Sequence, residues 1–173
     1  MQAELEEAMR HRVYPITKRI GIGQFVTHCR AEYLLHHGYT HVLNVGEAES
    51  VVVPGPGGFQ EVVDQSVEDL TRIPNDMAVR CLDALNRMLQ VAGSKVYVHC
   101  VACQNRSPTI VWLYFLACGM GDTAAEELIT VRCPDAVPGH TSLVDGRLLQ
   151  LVREHGRRHF LPLHDANILE PAY

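Results

Sequence analysis

Apolar positions change their spacing along the chain, and each spacing predicts an element. "THVLNV" (40–45) and "KVYVH" (95–99) lack polar alternation, which is the pattern of strands buried on both faces of a parallel sheet. "RIGIGQFVT" (19–27) is short, β-branched and glycine-broken, so it reads as a strand or hairpin. "EVVDQSVEDL" (61–70) reads as a strand running into a loop. Between these lie helical patterns. "RAEYLLHHG" (30–38) is a helix stopped by Gly38. "NDMAVRCLDALNRMLQVAG" carries apolar residues at 77, 79, 82, 85, 88 and 89, with Pro74 suited to the first turn and Gly93 at the end. A helix over 107–118 starts around Pro108 and ends at Gly119. Thr123 and Glu126 make a capping box for the next, which reaches about 132. Thr141 or Ser142 caps a last helix ending near Gly156. Residues 2–10 form a short helix with Glu4, Glu6 and Glu7 near its positive end, "PGPGG" (54–58) is a loop, and the tail 161–173 has no clear pattern.

Strands and helices alternate through the middle of the chain. This implies an α/β fold: one domain over 1–173, core about 17–160, with a central, mostly parallel sheet flanked by helices on both faces. Composition narrows the function. A net charge of -5 argues against a broad nucleic-acid-binding surface. No apolar run is long enough to span a bilayer, and "MQAELEEAMR" has no apolar signal-peptide core. The six cysteines are scattered through apolar or helical segments, which suggests a reducing, cytoplasmic setting where a thiol serves packing or chemistry.

The chemistry concentrates in "VYVHCVACQNRSPTIVWLYF" (96–115). Ligands of an open parallel sheet bind beyond the carboxyl ends of its strands, and Cys100 follows such a strand directly. Residues Val101, Ala102, Cys103, Gln104, Asn105 and Arg106 then feed a helix N-terminus, whose N–H groups and dipole make an anion site. Arg106 adds a planar two-pronged donor matched to two phosphate oxygens. The same positive field favours the thiolate form of a sulfur placed there. The loop therefore suits a phosphate dianion, or inorganic phosphate or sulfate, above a nucleophilic sulfur. The spacing Cys-x5-Arg alone is weak, since Cys81 and Arg87 repeat it inside a helix with no strand before them; Cys81 reads as core packing.

"VHCVACQNRSPT" resembles the signature loop of the cysteine-based dual-specificity protein phosphatases. "GIGQFVT", "AEYLLHHGYTHVLNV" and "ITVRCPDAVPGHTSLVDGRLLQL" are similar to segments of that family, so the resemblance covers about residues 17–155. It implies a phosphomonoester hydrolase without metal or cofactor, working through a cysteinyl-phosphate. Cys100 would be the nucleophile, Arg106 would hold the phosphate, Ser107 would hydrogen-bond the sulfur and help it leave, and His99 would orient the loop from behind. One aspartate can protonate the leaving oxygen and then activate water. Asp69, 31 residues before Cys100, is placed for this by its loop and by the resemblance; Asp64 and Asp76 are the other upstream candidates.

The sequence departs from the family where Cys103 replaces a glycine. That position is tight and can require positive φ. Cys103 is then either a tolerated small residue or a partner in a reversible Cys100–Cys103 disulfide. Loop residues 101–105 carry no charge, which favours phosphotyrosine, phosphoserine, phosphothreonine or a small phosphomonoester over a highly phosphorylated lipid. Two rival readings stay open: a pseudophosphatase that binds phosphorylated partners without turnover, and a thiol redox enzyme on the same loop. Asn44, polar in an apolar strand, needs buried partners and would brace the phosphate loop.

Overall fold

Five strands form one sheet: β1 (Val13–Pro15), β2 (Ile20–Gly23), β3 (His41–Asn44), β4 (Glu61–Asp64) and β5 (Val96–His99), in the spatial order β1-β2-β5-β3-β4. The computed structural model describes residues 2–10 and 12–173, with residues 5 and 10 described by their backbone alone. β1 runs antiparallel to β2, and every other neighbouring pair is parallel. Ile22, Leu43 and Val98 lie side by side in register, so β-branched and leucine side chains form one continuous apolar row across the sheet.

Helices cover both faces, as the alternating pattern requires. On one face α1 (Gln2–Arg10) and α2 (His28–His36) accompany a cluster built from Ala31, Leu34, Tyr39, Val42, Phe59 and Tyr97. On the other, α3 (Asn75–Gln90), α4 (Arg106–Ala117), α5 (Asp122–Thr130) and α6 (Gly146–His159) share a larger core with Ile22, Leu43 and Val98. Every residue of α4 is buried, which matches its apolar run and leaves its polar start as the only part open to chemistry. Trp112, Tyr114 and Phe115 are core residues. Burying each contributes roughly 1.5–3 kcal/mol or more.

Several boundaries differ from the sequence reading. The short strand β1, which sequence missed, is the antiparallel edge. Pro74 stands just before α3 at its N-cap rather than inside the first turn. Thr123 is not a cap, because Gly121 takes that place and Asp122 opens α5. Thr141 and Ser142 lie in a turn, where Ser142 bonds the His140 ring. The cap of α6 is Asp145, whose carboxylate accepts from Leu148 N at 2.9 Å. Gly156 does not end α6. It lies inside the helix, and a Cβ there would sit 1.9 Å from the Ala117 carbonyl oxygen. Its bare backbone lets α6 approach α4 closely.

The patternless tail is bound to the fold by specific contacts. Arg19 is buried and donates to Asp165 at 2.5 Å, to Leu89 O at 2.9 Å, to Val91 O at 3.1 Å, to Ser94 Oγ at 2.8 Å and to Ser94 O. Thr17 pairs with Pro171 in an isolated bridge. Among the described residues, no helix is long and apolar enough to cross a membrane.

Candidate active site

β5 ends at His99, and residues 100–105 turn directly into α4. The parallel register places Gly23, Asn44 and His99 at the same edge, so the loops beyond these ends converge there. A pocket of about 270 Å³ opens at this edge, lined by Asp69, Cys100, Val101, Ala102, Gln104, Asn105 and Arg106. Six of these seven belong to the segment singled out in sequence. The seventh, Asp69, is the favoured acid candidate. Larger hollows of about 670 Å³ beside α2 and about 650 Å³ between α3 and α6 lie away from this chemistry.

Cys100 is buried at the pocket floor, and its Sγ lies 3.3 Å from Ser107 Oγ. Asn105 holds the N-cap of α4 without a side-chain bond to the helix, which leaves the first-turn N–H groups to a ligand. The Asn105 amide instead donates to Asp69 Oδ1 at 3.4 Å. Asp69 Oδ1 also accepts from Leu70 N at 2.9 Å. Leu70 itself is exposed and left-handed, φ 55°, so the loop carrying Asp69 holds local strain beside the pocket.

Arg106 is buried at the start of α4. Its Nη1 donates to Val67 O at 3.2 Å, while Asp69 Oδ2 lies 4.0 Å from Nε and Glu47 Oε1 lies 3.8 Å from Nη1. A guanidinium thus has two carboxylates within 4.0 Å beside the pocket. Glu47 was not singled out in sequence. It follows the end of β3, the edge where parallel-sheet ligands bind, and that was the available signal.

His99 lies behind the loop. Its Nδ1 donates to the Cys100 carbonyl at 3.0 Å; because a carbonyl only accepts, the proton belongs on Nδ1. The ring stacks on Tyr97 and meets Phe25 edge-on, with centroids 5.8 Å and 5.4 Å away. Burial pushes its pKa down to about 4. The unfolded chain therefore takes up a proton near pH 6.5 that the folded chain refuses, so stability present above that pH is lost as pH falls toward 4. From pH 7.5 to 5 this residue alone is expected to remove about 2 kcal/mol. Urea midpoints at the two pH values check it: His99→Gln should flatten the pH dependence, and an unchanged slope would refute the assignment.

The other carboxylate candidates are used elsewhere. Asp64 ends β4 and accepts from Ser50 N, Ser50 Oγ and the Asn44 amide. Burial acts to raise its pKa, but those bonds outweigh it and hold the carboxyl below its usual value. Asp76 pairs with Arg80 at 3.8 Å in the first turns of α3. Neither lines the pocket. Asn44 braces the turn after β3 rather than the 100–105 loop itself: it donates to Ala48 O at 2.7 Å and accepts from Gly46 N at 2.9 Å. That turn rests against the pocket floor, since a Cβ at Gly46 would lie 3.4 Å from Cys100 Cα.

Cys103 has φ 59°, the left-handed backbone expected of the glycine it replaces. Its thiol is buried, with Ser107 Oγ donating to it at 3.7 Å, and the neighbouring Cys133 together with burial pushes its pKa up. All six cysteines are unpaired. Cys133 was not singled out in sequence, and no local pattern distinguishes it.

The fold is that of the dual-specificity protein phosphatases. Human DUSP28 superposes with a TM-score of 0.66 at 18% identity, over 84% of this chain and 98% of that one. The human tyrosine phosphatase-like serine/threonine/tyrosine-interacting protein gives 0.64 at 19%, over 87% and 99%. PTPMT1, solved in complex with PI(5)P, gives 0.61 at 16%, over 84% and 95%. No protein-family model matches the sequence, and no curated protein matches it.

Proposed function

We propose that this chain hydrolyses phosphomonoesters through a cysteinyl-phosphate on Cys100. The observation that carries this is the gathering of Cys100, Arg106 and Asp69 around one pocket at the carboxyl edge of a parallel sheet. In the first step the Cys100 thiolate attacks phosphorus and the ester oxygen leaves, taking a proton from Asp69. Arg106 and the loop N–H groups bind the equatorial oxygens as charge redistributes. In the second step Asp69 takes a proton from a water that attacks the phosphocysteine, and Cys100 leaves as a thiolate that Ser107 stabilises by its hydroxyl. His99 positions the loop through the Cys100 carbonyl.

The substrate class that best suits the pocket is a monophosphate on a protein side chain or a small molecule. Loop residues 101–105 are uncharged, Arg106 is the only cation lining the pocket among the described residues, and Glu47 stands 3.8 Å from it, opposing a second phosphate nearby. The test is hydrolysis of p-nitrophenyl phosphate and of phosphotyrosine and phosphoserine peptides by reduced protein in EDTA. Asp69→Asn is expected to lower kcat by about 10^2 to 10^4. The loss should be smaller for p-nitrophenyl phosphate, whose leaving group needs less protonation, than for phosphoserine. Equal losses on both would refute Asp69 as the acid.

A second reading is supported by Cys103 in its strained backbone and by the likeness to a phosphatase-like interacting protein: a module that binds phosphorylated partners without turnover. Tight phosphopeptide binding by fully reduced protein that shows no hydrolysis would select it.

A further inference from the structure

Apolar side chains that the core does not use stand around the mouth of the pocket. Val101 lines the pocket and is 52% exposed. Leu70 is 61% exposed and neighbours Asp69 on the pocket wall, whose Oδ1 accepts from Leu70 N at 2.9 Å. Val137 is 46% exposed, and its N–H donates to the carbonyl of Gln104, another wall residue, at 2.7 Å. Three separate segments thus each bring one aliphatic side chain to a single opening. Apolar surface gathered in this way marks a binding site, whereas single exposed residues scattered over a surface do not. Leu70 adds a second sign. A leucine at φ 55° holds a backbone that favours glycine or asparagine, and at this exposure burial does little to offset the cost. The charges on the same segments are acidic. Glu68 is exposed beside Asp69, Asp135 is exposed just before Val137, and Glu47 stands 3.8 Å from Arg106. The nearby cations are engaged elsewhere, Arg72 with Asp145 at 3.0 Å and Arg132 over the Tyr173 ring at 3.6 Å.

We propose that this rim selects phosphorylated peptides whose residues next to the phosphorylated side chain are apolar, and that it turns away those flanked by acidic residues. The inference rests on the pocket being a phosphate site. The phosphate enters toward Arg106, and the flanking side chains come to lie on Leu70, Val101 and Val137. Each such contact adds affinity in proportion to the apolar area removed from water. A flanking glutamate would instead meet Glu47, Glu68 or Asp135 with no free cation to answer it. The flanks touch the rim equally before and during phosphoryl transfer, so the preference belongs in KM rather than in kcat.

Peptides carrying phosphotyrosine between two leucines, two serines or two glutamates test this. Binding to Cys100→Ser protein is read by fluorescence anisotropy, and hydrolysis by reduced wild type is read in parallel. The leucine peptide should bind about tenfold tighter than the serine peptide, with the glutamate peptide weaker than both and KM in the same order. Adding Leu70→Asn and Val137→Ser should cut the leucine preference to about threefold or less; asparagine accepts the left-handed backbone and so spares the loop. Equal affinity for the leucine and serine peptides would overturn the proposal, as would a leucine preference that survives both substitutions or the binding of no peptide by either protein. Loss of peptide binding to competing phosphatidylcholine vesicles would also overturn it, by assigning the rim to a lipid surface. The two readings fail separately. Hydrolysis with no preference among flanks removes the rim alone, and a leucine preference in binding without hydrolysis by wild type removes the phosphatase reading alone.

Discussion

Cys100→Ser is expected to abolish hydrolysis of p-nitrophenyl phosphate, by about a millionfold, the scale on which losing a covalent nucleophile is felt. Serine is nearly isosteric with cysteine, so the buried floor beneath the pocket should keep its packing against Ser107. The hydroxyl, however, is a far weaker acid and nucleophile than a thiol, and it cannot open the two-step route. The proposed phosphate cradle of Arg106 and the α4 N-terminus is left intact. Binding of inorganic phosphate should therefore survive, within a few-fold of wild type by titration calorimetry. Retained hydrolysis within tenfold of wild type would sink the cysteinyl-phosphate mechanism. Loss of phosphate binding along with turnover would show that the substitution had damaged the loop, and Cys100→Ala would then separate the two.

The second large effect is structural. Gly156→Ala should destabilise the protein by about 3 kcal/mol, and Gly156→Val by more. In an exposed helix interior alanine is preferred over glycine by up to ~1 kcal/mol. Here the added methyl meets Ala117 O at 1.9 Å and Ala117 C at 2.4 Å, backbone atoms of α4 that cannot swing aside as a flexible side chain would. α6 must move away from α4, and α4 carries Arg106 and Ser107 at its other end. Gly146→Ala, at the start of the same helix, meets nothing within 4 Å and serves as the control. Urea denaturation should show a lowered midpoint for Gly156→Ala and little change for Gly146→Ala. Equal midpoints would mean that the two helices are not held at this spacing.

The contrast between these glycines shows what a sequence conveys. A glycine late in a helical pattern reads as a stop, and Gly38, Gly93 and Gly119 do have positive φ near helix ends. Gly156 has the same local appearance, but its reason is a neighbour nearly 40 residues away in sequence. The start of α6 was obscured differently: Thr141, Ser142 and Asp145 are all good caps, and only tertiary packing selects Asp145, which also pairs with Arg72 at 3.0 Å. The site divides along the same line. Cys100 to Ser107 is a local motif, with strand, loop and helix all written in one stretch, so it was legible. Asp69 was reached only by its loop position together with the family resemblance, from among three upstream aspartates. Glu47 and Cys133 come from distant segments; Glu47 is marked in sequence only by following the end of a strand, and Cys133 by nothing local.

The strand order has a consequence for crowded conditions. An exposed sheet edge invites another chain to add a strand, and natural proteins limit this by keeping edges short or interrupted. Here β5 is interior, with a four-residue parallel ladder on each side. One outer strand, β1, has three residues and closes on Pro15, which offers no N–H. The other, β4, has four and ends on Asp64, whose carboxylate is already engaged by Ser50 and Asn44. Each rim thus presents a neighbouring molecule with at most a few backbone groups to template on, and the sheet discourages intermolecular growth by its own geometry.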